Sequence, residues 1–150
     1  MENQIGYGQL ARAIRKKYNF GKTKILVDDL MSKVEEYRYK IHNIQPPRIT
    51  PDYEVKYDFS KSSSSTSKIE SYVTKKVDLE IEAGYLYQVL EKALLKLNKE
   101  ELMYFREYYY NKLTETKICH KYYMSKDKLK LIKESCIIKI AMEFDISVEK

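Results

Sequence analysis

At 150 residues the chain suits one domain or two small helical ones, and its 43% of hydrophobic residues is enough for a packed core and excludes wholesale disorder. A net charge of +6, with a pI of about 9.1, favours a polyanionic partner, either nucleic acid or an acidic membrane face. The two cysteines, Cys119 and Cys136, lack ligand spacing, which argues against a disulfide scaffold or structural zinc and for small buried hydrophobes.

Four glycines and three prolines suit long helices better than strands and turns. Fifteen tyrosines without a tryptophan fit a thin bundle whose core lies near its surface. The N-terminus lacks the apolar core of a signal peptide, and no apolar run approaches membrane-spanning length. The expectation is a soluble, all-α protein of the cytoplasm with no membrane partner.

Residues 7–18 read as a short basic helix, with Leu10, Ala11 and Ile14 on one face and Arg12, Arg15, Lys16 and Lys17 elsewhere. The glycines at 6 and 8 match part of a dinucleotide-binding turn, but no strand precedes them and no βαβ pattern follows. Gly21 is expected to separate this helix from a second, over 23–43. There Val27, Leu30, Val34, Tyr37, Ile41 and Ile44 alternate at spacings of three and four, an a/d seam of about three heptads. Such a seam packs on another helix of the same chain or on a second copy.

Pro46-Pro47 ends that helix, and the stretch to Ser67, with a run of four serines, reads as a linker over 46–67. Within it Tyr53, Val55, Tyr57 and Phe59 alternate with polar residues at strand period, although a lone strand has no partner. Helical pattern returns from Lys68 to about Leu97. Ile69, Val73 and Val77 begin an apolar stripe that continues through Leu79, Ala83, Leu86, Leu90, Ala93 or Leu94, and Leu97. Gly84 inside it costs about 1 kcal/mol relative to alanine and permits a bend or a close helix crossing. The division expected is an N-terminal helical segment over 1–45, the linker, and a helical domain over 68–150.

Residues 98–144 carry the most information. Asn98 followed by Glu101 is a capping-box signature for a helix running to about Tyr110 and burying Leu102, Phe105 and Tyr109. After a break at 111–113, Thr114 caps a short helix from Glu115 to Lys121, with Ile118 and Cys119 facing inward. Residues 122–124 form a turn. Ser125 then caps a last helix, from Lys126 to about Phe144, with Leu129, Ile132, Cys136, Ile137 and Ile140 on one face. Three capped helices with so short a middle one match a helix-turn-helix.

The charge sits where that reading needs it. Between Lys112 and Lys133 seven lysines stand against Glu115 and Asp127, a local net charge of +5. A recognition helix brings its N-terminal residues to the base edges, and its free backbone N–H groups and dipole favour phosphate. The DNA-contacting residues expected are Thr114, Lys117, Lys121, Ser125, Lys126, Lys128, Lys130 and Lys133. Asp127 either accepts from a cytosine amino group or favours the positive end of the helix. The alternative is a solvated lysine face on an ordinary helix.

Phe105-Arg106-Glu107-Tyr108-Tyr109, Met124-Ser125 at the turn, Ile132-Lys133 and the run from Ile137 to Ala141 make the C-terminal part resemble the ArpU/RinA family of phage late-gene transcriptional regulators. More distantly, this part is similar to the helix-turn-helix of region four in bacterial sigma factors. The resemblance implies activation of late operons for packaging, morphogenesis or lysis, in the host cell cytoplasm. Double-stranded DNA is the partner so implied, RNA polymerase a candidate second one, and a homodimer the expected assembly. The reading helix carries lysine where bidentate guanine readout would use arginine, so phosphate contact is its stronger expectation. A small-terminase-like packaging protein and a structural helical oligomer are the competing readings.

Catalytic constellations are absent from the sequence. His42 and His120 are far apart, and Cys119 and His120, as helix neighbours, point about 100° apart. The acid pairs Asp28-Asp29, Glu35-Glu36 and Glu100-Glu101 are expected on solvated helix faces. No enzymatic activity, metal or cofactor is expected.

Overall fold

The computed structural model describes residues 7–45 and 64–150, and among them the chain is all-α. Its helices are α1 (Tyr7–Lys17), α2 (Phe20–Asn43), α3 (Ser64–Leu95), α4 (Lys99–Phe105), α5 (Glu115–Tyr122) and α6 (Lys126–Glu143). One isolated antiparallel bridge joins Tyr18 to Glu149. The alternating stretch from Tyr53 to Phe59, and with it the expected linker up to residue 63, lies outside the described residues; α3 starts at Ser64, four residues before the sequence pattern begins. No helix of the described residues is long and apolar enough to cross a membrane.

Gly21 does not separate the first two helices. The break falls at Tyr18-Asn19, where the Asn19 side chain accepts the Lys22 N–H (3.2 Å) and so caps α2. Gly21 lies inside the first turn of α2, and a Cβ there would meet only Asn19 Oδ1, at an ordinary 3.8 Å. A short polar cap outranks a glycine as a helix boundary here because it satisfies an otherwise orphaned N–H.

The chain forms two compact units. In the one comprising Val34–Leu86, the end of α2 lies along the first part of α3, and the Tyr37 hydroxyl donates to Glu82 Oε2 (2.7 Å). The other comprises the described residues up to Lys33 together with Tyr87–Lys150. At its centre α6 packs against α1, α4 and α5. The seam positions Val27 and Val34 and the stripe positions Ala83, Leu90, Ala93 and Leu97 are buried within the chain. The other seam positions, Leu30, Tyr37, Ile41 and Ile44, are half-buried.

Three carboxylates hold α6 and its neighbours together. Glu101, on α4, is fully buried and accepts from Ser135 Oγ (2.5 Å) and from Lys139 Nζ (2.9 and 3.0 Å), both on α6. Glu134, on α6, accepts from Arg15 Nε of α1 (2.7 Å) and is almost completely buried. Glu107 meets α5, as described below. The solvated face expected for Glu100-Glu101 is thus half wrong: Glu100 reaches solvent, whereas Glu101 is core. A buried carboxylate persists only when paired and hydrogen-bonded, and Lys139 lies 38 residues away, beyond any local pattern.

The C-terminal end closes on the start of the same unit. Asp145, in the left-handed region (φ 56°), ends α6, with Ile146 N–H donating to the Ala141 carbonyl (2.9 Å) and Asp145 N–H to that of Met142 (3.2 Å). The tail then pairs with the junction of α1 and α2. Asn19 N–H donates to the Val148 carbonyl (2.7 Å), Val148 N–H to Thr23 Oγ1 (3.1 Å), and Lys150 N–H to the Lys17 carbonyl (3.1 Å).

Candidate nucleic-acid interface

The local boundaries follow the capping chemistry. Asn98 Oδ1 accepts from Glu101 N–H (2.9 Å) while Glu101 Oε2 accepts from Asn98 N–H (3.0 Å), a complete capping box. The helix continues past Phe105 as a π-helical turn over Arg106–Tyr110, closed by Asn111 N–H donating to the Arg106 carbonyl (3.0 Å). That wider turn packs Phe105 against both Tyr109 and Tyr110, at ring-centroid distances of 5.2 and 5.3 Å. Phe105 and Tyr109 are buried as expected, but Leu102 is exposed. The Tyr109 hydroxyl donates to Asp28 Oδ1 (2.8 Å), tying α2 to this turn.

Thr114 caps α5 by accepting from Lys117 N–H (3.4 Å), and Ser125 caps α6 by accepting from Lys128 N–H (3.2 Å). Between them Tyr123 takes the left-handed conformation (φ 51°, ψ 44°) that usually falls to glycine, with its side chain almost fully exposed. Ile118 is completely buried, and Cys119 is half-buried.

Glu107 holds α5 in place. Its carboxylate accepts from Asn111 Nδ2 (3.0 Å), Lys121 Nζ (2.9 Å) and the Tyr122 hydroxyl (2.7 Å). These hydrogen bonds hold its carboxyl down at about pKa 2. Glu101 behaves similarly. Burial pushes its pKa up, but the bonds from Ser135, Lys139 and the Asn98 N–H outweigh that and leave it below the usual range. Burial pushes the Cys136 thiol up, so this cysteine is an unreactive core residue.

The eight expected contact residues divide into three groups. Thr114 and Ser125 are the two caps. Lys117, Lys126 and Lys130 are exposed, and their ammonium groups have no partner among the described residues. Lys121, Lys128 and Lys133 are engaged: Lys121 with Glu107, Lys128 with Glu100 of α4 (2.7 Å), and Lys133 with Glu115 of α5 (2.5 Å). Lys121 and Lys128 remain about half exposed, but the Lys133 side chain keeps only 17% of its exposure and also lies over the Phe20 ring. Lys133 therefore works as a clamp between α5 and α6.

The paired Lys128 and Glu100 line a cleft of about 480 Å³ beside the turn, together with Met103, Tyr122 and Met124. At about 100° per residue, Lys126 and Lys130 share one flank of α6, and Lys128 lies on the other. Asp127 is exposed between them in the first turn. His42 and His120 are both exposed, and no group of three His, Cys, Asp or Glu among the described residues is arranged to hold a metal ion.

The buried carboxylates are the site-shaping residues that sequence reasoning missed; for Glu101 the capping-box spacing was the one available signal. Comparison with protein-family models, with curated proteins and with solved structures gave no match, so the resemblance to the ArpU/RinA regulators rests on the quoted residues alone.

Proposed function

We propose that the protein is a non-enzymatic reader of double-stranded DNA that sets the first two turns of α6 into the major groove, acting as a transcriptional regulator of phage late genes. The observation that carries this reading is the free, capped start of α6. Lys126 and Lys130 project there without carboxylate partners among the described residues, behind an N-terminus whose N–H groups and dipole favour phosphate. Lys117 adds a third uncommitted cation on α5. Lys121 and Lys128 exchange their carboxylate partners for phosphate oxygens, while Thr114 and Ser125 fix the two helix starts.

Salt dependence tests the reading. Each lysine–phosphate contact contributes roughly −0.9 to the slope of log K against log salt, so Lys126→Ala and Lys130→Ala should each flatten it by about one unit. Unchanged slopes in both variants would remove α6 from the interface and leave α1 as the basic surface to test. Arg12 and Lys16 are its exposed cations of interest, since Arg15 is already held by Glu134. Promoter-directed transcription then separates a regulator from a packaging protein, which would bind the same DNA without stimulating transcripts.

A further inference from the structure

Helix α3 has two apolar faces, and among the described residues only one is covered. Tyr72, Lys75 and Leu79 share a cleft with Lys40 and Ile44 of α2, and Glu82 accepts from Tyr37. On the opposite side stand Ile69, Val73, Val77, Ile81 and Tyr85, which are 38, 49, 44, 66 and 69% exposed. Each lies four residues after the last, so they form one unbroken ridge, slanted about 26° to the helix axis. Scattered apolar residues on a surface need no explanation, but a contiguous apolar row marks an interaction face.

Gly84 lies on this same side, about 20° around the helix from Val77. Glycine weakens a helix interior, and nothing among the described residues requires it: a Cβ there would meet no atom within 4 Å. An approaching helix would supply the reason, since glycine lets another backbone come close. The flank of the ridge carries Lys76 and, one turn later, Glu80, both without partners among the described residues. Two antiparallel copies related by a twofold axis beside Val77, at the level midway between Lys76 and Glu80, set Lys76 of each opposite Glu80 of the other. The four-residue ridges of identical helices also fit one another's grooves, at a crossing of about 50°.

We propose that this face of α3 docks a second copy of the chain, giving an antiparallel, isologous dimer whose twofold axis passes beside Val77, at the level midway between Lys76 and Glu80. The inference is independent of the DNA-binding reading. It places self-association on the side of α3 that faces away from the end of α2.

Light scattering on the full chain at high micromolar concentration tests it, with twice the 17.9 kDa monomer mass expected. Val77→Glu and Ile81→Glu should return the mass to one chain with unchanged helicity, because both positions are exposed. Orientation is read by oxidation in a Cys119→Ser background, where Val77→Cys should cross-link to itself and Tyr39→Cys, on exposed α2 surface, should not. A monomeric parent chain overturns the proposal. So does a dimer indifferent to both glutamates, or cross-linking at 77 no greater than at 39.

Discussion

Helix α6 contains two lysine-bearing stretches in opposite surroundings. From Lys126 to Leu131 every residue but Leu129 reaches solvent, and Lys126 and Lys130 have no partner among the described residues. From Ile132 to Ala141 every residue but Lys133 and Lys139 is buried, and both of those lysines end on carboxylates, Glu115 and Glu101. One half anchors the helix and the other presents it. A lysine is therefore a candidate ligand contact or a structural clamp according to what its neighbours bring, not according to its place in a basic run.

The largest expected effect lies in the anchoring half. Ile137 is completely buried, so Ile137→Ala should cost about 2–5 kcal/mol in urea denaturation. Lys130→Ala, at the presenting end, should stay within about 0.5 kcal/mol of the parent. Comparable losses in the two variants would erase the distinction between the halves.

The next effect is on acid stability and concerns the seat of α5. The folded pKa of Glu107, about 2, is below the roughly 4.3 of an unfolded glutamate. Its contribution is thus complete above about pH 4.3 and is lost as pH falls through the folded value. Urea midpoints measured between pH 5 and 2 should decline less steeply in Glu107→Gln than in the parent, and parallel curves would show that the carboxylate is not the acid-sensitive group.

The smallest effect has the opposite sign. The Tyr104 hydroxyl is buried with no hydrogen-bond partner among the described residues, and burial pushes its pKa up. An unsatisfied buried hydroxyl costs roughly 1–3 kcal/mol, so Tyr104→Phe should raise the thermal midpoint slightly or leave it unchanged. A clear drop would mean that the hydroxyl has a partner in solution.

Much of the candidate site was legible because capping is local chemistry. Asn98, Thr114 and Ser125 each satisfy an N–H three residues on, and all three helix starts fall where those side chains put them. Residues that act over long separations were not legible. Ile138 and Ala141 join the buried set because α6 is surrounded, which a one-face reading of its periodicity does not anticipate. Lys133 was expected at DNA, but its ammonium group ends on Glu115, 18 residues back along the chain.

The sequence by itself determined the helical class, the three capped starts and the concentration of positive charge around the last turn, since propensity, capping and composition act within a few residues. Only the tertiary structure decided, among the described residues, which lysines are free, which glutamates form the core, and which apolar stripe of α3 remains uncovered. Lys121 reaches Glu107 across 14 residues and Arg15 reaches Glu134 across 119, and burial changes the worth of a charge far more than its identity does.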